Sequence, residues 1–241
     1  MPENYFDEDV ASDYDATTAS MFEDPVLGPA VKRLAALAEG GAALEFGIGT
    51  GRVALPLSER GVEIHGIELS PAMVKQLRDK PGGDRIPVTL GSFENTRLDR
   101  RFELVYLVFN TIMNLTRQDE QVACFVNAAT HLRPGGRFVV EVMVPNLRSL
   151  PPGQTLQPFD VSKGHIGFNK YTDPTSQQMT SHHFWPGTDR SPMATPFRYV
   201  WPSELDLMAQ LAGLELEHRW SDWERSPFTG DSTAHVSVWR R

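Results

Sequence analysis

The chain contains a single cysteine, Cys124, so an intrachain disulfide and a thiolate zinc cluster are both excluded. Cys124 lies in an apolar, helix-like stretch and reads as core; a reducing compartment fits it. No run approaches the roughly 18 apolar residues of a membrane span. The N-terminus has neither the basic start nor the apolar stretch of a secretory signal. It carries Glu3, Asp7, Glu8, Asp9, Asp13 and Asp15 instead. A cytoplasmic protein is the expectation, with no membrane partner. Positive charge is also scarce: 23 bases face 31 acids, a net charge of -8. With no basic run, the chain lacks an electrostatic footprint for nucleic acid. Internal repeats and low-complexity tracts are absent as well.

What is present suits one globular domain. The 241 residues are 40% hydrophobic and 22% charged, so residues 1–241 are read as a single domain. Residues 26–39 show helical periodicity, stopped by Gly40 and Gly41. The segment 43–46 reads as a short buried strand, 62–69 as a second, 87–93 as a third and 102–110 as a fourth. The fourth is apolar throughout, as in a strand covered on both faces. Helices are expected over 52–61, over 71–80 with Ser70-Pro71 as the cap, and over 119–132. Pro134-Gly135-Gly136 should end the last of these before a fifth strand at 137–144. Alternating strands and helices predict an α/β fold, a mostly parallel sheet with helices on both faces. Ligands bind such sheets at the C-terminal strand edge.

After Pro145 the pattern changes. Residues 145–200 are proline-rich with several β-like runs, and predict an antiparallel insert of two or three strands. Residues 201–213 then read as a helix with Ser203 as N-cap, followed by two final strands.

The segment Glu45-Phe46-Gly47-Ile48-Gly49-Thr50-Gly51 follows a strand and opens a helix. Glycines there permit a tight turn and close approach of a ligand to the backbone. The helix start favours negative partial charge. A dinucleotide loop wants G-x-G-x-x-G, yet the third position is occupied by Arg52. The spacing is instead G-x-G-x-G, preceded by an acid. Glu68 ends the second strand about 20 residues beyond Gly47, where a carboxylate can accept hydrogen bonds from ribose hydroxyls.

At these residues the sequence resembles the class I S-adenosylmethionine-dependent methyltransferases, whose first motif is (D/E)-x-G-x-G-x-G. The resemblance implies a Rossmann-like seven-stranded sheet with an antiparallel last strand, and S-adenosylmethionine as cofactor. It implies that Glu45 helps hold the methionine ammonium, with Phe46, Gly47, Gly49 and Gly51 forming the loop. Leu69 and Met73 would flank the adenine beyond Glu68. Gly91, Ser92 and Phe93 would continue the adenine side, with serine standing where relatives often have an acid. Phe109 and Asn110 would lie beside the methyl donor, and Asn110 and Asn114 could position an acceptor. Tyr14 resembles an N-terminal tyrosine that closes over the methionine portion. LRPGG at 132–136 matches a turn in relatives.

Methyl transfer from a sulfonium needs mainly alignment and exclusion of water. Residues 1–25 and the 145–200 insert are candidates for a lid, and the insert also for a dimer contact. A hydroxyl acceptor would call for a general base. Tyr14, His182 and His183 are the candidates, with Glu141 too deep. His182 and His183 are adjacent on a strand and face opposite sides, which argues against a shared metal. The expected acceptor is a nitrogen or oxygen of a small molecule. An NAD-dependent oxidoreductase and a non-catalytic nucleotide-binding protein on the same fold are the alternatives.

Overall fold

A computed structural model describes residues 4–241; Glu3 and the rest of the first three residues lie outside it. The elements, in chain order, are α1 (Glu8–Thr17), α2 (Asp24–Leu37), β1 (Ala43–Phe46), α3 (Ala54–Glu59) and β2 (Ile64–Glu68). Then follow α4 (Pro71–Arg78), β3 (Val88–Leu90), β4 (Phe102–Leu107), α5 (Gln118–His131) and β5 (Leu132–Met143). The insert supplies β6 (Leu156–Val161), β7 (Ile166–Asp173), β8 (Gln178–Phe184) and β9 (Met193–Arg198). The chain closes with α6 (Pro202–Leu211), β10 (Glu215–Trp220) and β11 (Ala234–Arg240). No helix among the described residues is long and apolar enough to cross a membrane.

Seven strands form one sheet in the order β10-β11-β5-β4-β1-β2-β3. The pairs from β5 through β3 are parallel, and β11 is antiparallel to both its neighbours. β4 is central, with Leu104 to Leu107 wholly buried, so its side chains are apolar on both faces. Leu34 of α2 and Leu57 of α3 pack on one face of the sheet. Phe125 of α5 and Leu205 and Met208 of α6 pack on the other, with Phe138 and Trp239 beneath them. The Phe125 ring meets Phe138 at 5.0 Å and Trp239 at 5.2 Å, both edge-on, a geometry that the ring quadrupoles favour.

Four elements differ from the sequence reading. α1 carries no apolar stripe, since Ala11 is its only buried residue; it starts because the Asp7 carboxylate accepts the Val10 N–H at 3.0 Å. β5 runs through Pro134-Gly135-Gly136 rather than starting after it. That segment is held by reciprocal backbone bonds at 2.9 Å, Gly135 N–H to Arg241 O and Arg241 N–H to Gly136 O. The insert is an antiparallel sheet of four strands, β6-β7-β8-β9. β6 went unread because Pro158 interrupts it, a residue tolerated on an edge strand. Ser203 is not the cap of α6: Trp201 holds that position without a side-chain bond and Pro202 takes the first turn.

Candidate functional site

β1 ends at Phe46 and the chain turns at Gly47 and Gly49, whose φ angles are 67° and 55°. These left-handed values favour glycine. At Gly47 space matters as well, since a Cβ would lie 2.8 Å from Thr111 Cγ2. Gly51 is left-handed too, at φ 82°, and a Cβ there would collide with Leu77 of α4.

Glu68 ends β2 directly across this loop and is 7% exposed. Its carboxylate accepts the Gly49 N–H at 2.8 Å and the Ser70 N–H at 2.9 Å. One bond falls on each oxygen, and each oxygen keeps a lone pair for a ligand. Burial pushes the Glu68 pKa up, against the pull of the backbone N–H groups. Glu45, in β1, is 3% exposed and accepts the Tyr106 hydroxyl at 2.9 Å. Burial pushes its pKa up to about 8, opposed by the Tyr106 bond and the nearby Arg52 charge.

A cleft, partly open to solvent, lies over the loop. Of the residues singled out from sequence, Tyr14, Gly47, Gly49, Glu68, Leu69, Met73, Ser92, Phe93 and Asn114 line it. Phe93 stacks on Phe46 at 5.9 Å, so Phe46 supports the wall from behind. Ser92 donates its hydroxyl to the carboxylate of Glu94, a residue that is itself 8% exposed. Glu94 was not anticipated; it brings an acid to the serine from two residues further on.

Glu45, Phe46, Gly51, Gly91, Phe109 and Asn110 do not line the cleft. Phe109 and Asn110 adopt φ of 59° and 61°, two successive left-handed residues without glycine. The Phe109 N–H donates to Glu141 at 3.0 Å and its ring lies under the Arg52 guanidinium at 4.8 Å. Asn110 Oδ1 accepts the Met143 N–H at 2.7 Å. The turn thus commits both side chains elsewhere and presents Thr111, Asn114 and Leu115 to the cleft. Asn114 Oδ1 is buried there with no hydrogen-bond partner among the described residues. Glu141 is fully engaged, since its second oxygen accepts Trp223 Nε1 at 2.7 Å.

The N-terminal segment closes one side. Asn4, Tyr5, Phe6 and Tyr14 all line the cleft. α1 is latched by Asp15, which accepts the Thr50 hydroxyl at 2.6 Å and pairs with Lys80. Lys80 also donates to the Thr50 carbonyl at 2.8 Å, and the Ser70 hydroxyl donates to the Phe6 carbonyl. Burial pushes the Tyr14 phenol up to about 12.

His182 and His183 lie outside the cleft lining. They face opposite sides of the insert sheet, as strand alternation requires. His182 stacks on Phe168 at 4.9 Å, while His183 Nδ1 meets His165 Nε2 at 3.0 Å. Burial, then the neighbouring His165 and His182, lowers the His183 pKa to about 4.

These residues fit an adenosyl ligand. The loop has no side chains over the cleft at Gly47 and Gly49, Glu68 has lone pairs to spare, and Asn114 holds an orphaned acceptor. Comparison with known proteins agrees. A family described as a methyltransferase domain matches residues 43–136. The structure is similar to that of the CcbJ methyltransferase from Streptomyces caelestis, with 39% sequence identity, a TM-score of 0.78 and 88% of each chain covered. It is also similar in fold to S-adenosylmethionine-bound CalS10, an amino pentose methyltransferase from Micromonospora echinaspora, with 20% identity and a TM-score of 0.70. That match covers 95% of this chain and 96% of the other. The cypemycin N-terminal methyltransferase of a Streptomyces species is 24% identical over 206 residues, 84% of each chain. The oxidoreductase alternative finds no support among them. The glycine spacing, the pinned Glu68 and the full-length similarity converge: the chain belongs to the S-adenosylmethionine-dependent methyltransferases.

Proposed function

We propose that this enzyme methylates a nitrogen of a small, amine-bearing molecule. The observation that carries the proposal is the enclosure of the cleft. α1 is latched over one side by Asp15, and the insert reaches α1 through an Arg190–Asp13 ion pair at 2.5 Å. Such a roof suits a small acceptor better than a folded macromolecule. In this reading residues 1–25 and the 145–200 insert are its two lids.

Bound S-adenosylmethionine supplies a sulfonium methyl group, which an acceptor lone pair displaces in line. The chain's own residues bind, orient and exclude water. Glu68 accepts the ribose hydroxyls. Leu69, Met73 and Phe93 flank the adenine, and the Ser92–Glu94 pair faces its amino group. The Gly47 and Gly49 backbone follows the methionine portion, and Tyr14 closes over it. Glu45 acts from behind the loop, as a buried carboxyl whose charge state responds to a cationic ligand. Gly51 and Gly91 serve through the backbone; a Cβ at Gly91 would collide with Thr96 Oγ1.

Nitrogen is preferred over oxygen because the described cleft residues offer no suitable base. Tyr14 is a phenol pushed up to about 12, and Glu68 is committed to two N–H groups. An amine needs no such base once its lone pair is free. The names of two similar proteins, an N-terminal and an amino pentose methyltransferase, also support an amine-bearing acceptor. Exposed Leu156, Phe159 and Val161 on edge strand β6 support a homodimer, which light scattering would test.

The test is a methyl-transfer screen over matched amines and alcohols, read by mass spectrometry. Transfer to amines alone is expected. Transfer only to alcohols or phenols would overturn the nitrogen assignment.

A further inference from the structure

The insert sheet has an outer and an inner face, and the two differ in chemistry. On the inner face, facing pairs are Tyr171 with Met179 and Met179 with Phe197. Tyr171 and Met179 join the main core and Phe197 packs against it. The next row out is polar: Asn169 pairs with Ser181, and Ser181 with Thr195. Beyond it come Gly167, His183 and Met193, and then the Trp185–Arg190 tip.

This face has two anchors. At one, β9 packs on the turn at Thr111–Asn114, which lines the cleft. At the other, Arg190 reaches Asp13 of α1, one residue from the cleft-lining Tyr14. The sheet is thus tied to both banks of the cleft, whose own lining ends at α1 and the 111–115 turn and takes in no residue of the insert.

Asn169, Ser181 and Thr195 are 8%, 6% and 6% exposed. The side chains of Asn169 and Thr195 make no hydrogen bond within the described protein, and their polar atoms are not among the fully buried unpaired ones, so they open onto accessible space. Ser181 is engaged on one side only, by His183 Nε2 at 3.2 Å. From there a chain runs through His183 Nδ1 and His165 Nε2 at 3.0 Å to His165 Nδ1 and Asp160 at 2.6 Å. The Asp160 carboxylate can only accept, so with both imidazoles neutral His165 donates to it, His183 donates to His165, and Ser181 donates to His183. That order leaves the Ser181 oxygen lone pairs facing inward as acceptors. His182 stacks on Phe168 on the other face, and Arg190 lies over Trp185 at 4.5 Å.

We infer that the Asn169–Ser181–Thr195 row is the recognition wall for the methyl acceptor, and that it takes an uncharged, hydroxyl-bearing portion of an amine substrate. The row contains no cation, so a phosphate or carboxylate is not the group it recognises. Its members both donate and accept, except Ser181, which accepts. Asn114, on the opposite bank, offers one more acceptor. The inference rests on the proposed amine methylation and adds what lies beyond the amine.

Two measurements test it. A crystal structure of the adenosylhomocysteine complex should show open volume running from the sulfur to Thr195 Oγ1 and the Asn169 amide. An apolar wall between them overturns the inference, whatever the enzyme methylates. In the second, Asn169→Leu and Thr195→Val are assayed on a hydroxylated amine, D-glucosamine or the best polyhydroxylated hit, and on cyclohexylamine or the best hydroxyl-free hit. The KM for the hydroxylated amine should rise roughly 3- to 10-fold per variant. The KM for the bare amine and the affinity for adenosylhomocysteine should hold. Unchanged KM for the hydroxylated amine overturns the inference, whereas failure of every amine overturns the proposed function and leaves the crystal structure to decide this one.

Discussion

Burial acts on two carboxyls around the glycine loop, Glu45 and Glu68, and raises both. For Glu45 the consequence for stability has a definite sign. Its folded pKa of about 8 exceeds the ordinary carboxyl value of 4.5. The neutral form is therefore favoured by folding, and this contribution is complete below pH 4.5 and lost as pH rises to about 8. Glu45→Gln keeps an acceptor for Tyr106 and removes the titration. Urea unfolding should show wild type losing stability relative to this variant between pH 5 and 8; a pH-independent difference would contradict the buried, neutral carboxyl. Glu68 makes a second case. Glu68→Ala should weaken adenosylhomocysteine binding roughly 10- to 100-fold, the value of one hydrogen bond to a charged group. Calorimetry, with circular dichroism as a check on folding, measures it; affinity within threefold of wild type would contradict the ribose role.

At the scale of elements, α1 buries only Ala11 and is held largely by polar contacts. The Asp15 side chain is 39% exposed, so its pair with Lys80 is worth little, about 0.2–1 kcal/mol. Asp15→Ala should accordingly speed adenosylhomocysteine dissociation by only about 2- to 5-fold, measured by surface plasmon resonance. No change would show that α1 is held elsewhere. The parallel core was legible from sequence because buried strands and amphipathic helices announce themselves by periodicity. α1 was not, for it buries only Ala11, and β6 was hidden by Pro158. The site divides in the same way. Gly47, Gly49, Glu68, Leu69, Met73, Ser92 and Phe93 follow strand ends directly, so their positions could be read. After β4 the left-handed pair Phe109 and Asn110 turns the chain, and Thr111 and Leu115 reach the cleft in their place, beside the expected Asn114. Glu94 escaped because the acid sits two residues past the expected position and folds back.

For the whole molecule, a buried cation ties the insert to α5 and α6 beside its apolar contacts with the core. Arg198 is 4% exposed; it donates to Gln121 of α5, to Gln177 at 3.0 Å and to Glu204 of α6 at 2.7 Å. Arg198→Ala strands Glu204 without its charge partner and should destabilise the fold by about 3–5 kcal/mol, read from urea unfolding. A loss under 1 kcal/mol would show that the insert docks through its apolar row instead.

The β5–β11 pairing has a consequence in time. Met143 faces Ala234 across the ladder, and closing the loop of about 90 residues between them costs on the order of 4 kcal/mol in chain entropy. During synthesis, β5 is made long before its partner. Until Ala234 to Arg240 leave the ribosome, β5 presents a bare row of N–H and C=O groups to any passing strand. Nascent chains stalled within the insert should therefore be the species most prone to self-association, and β11 is the strand that ends that exposure.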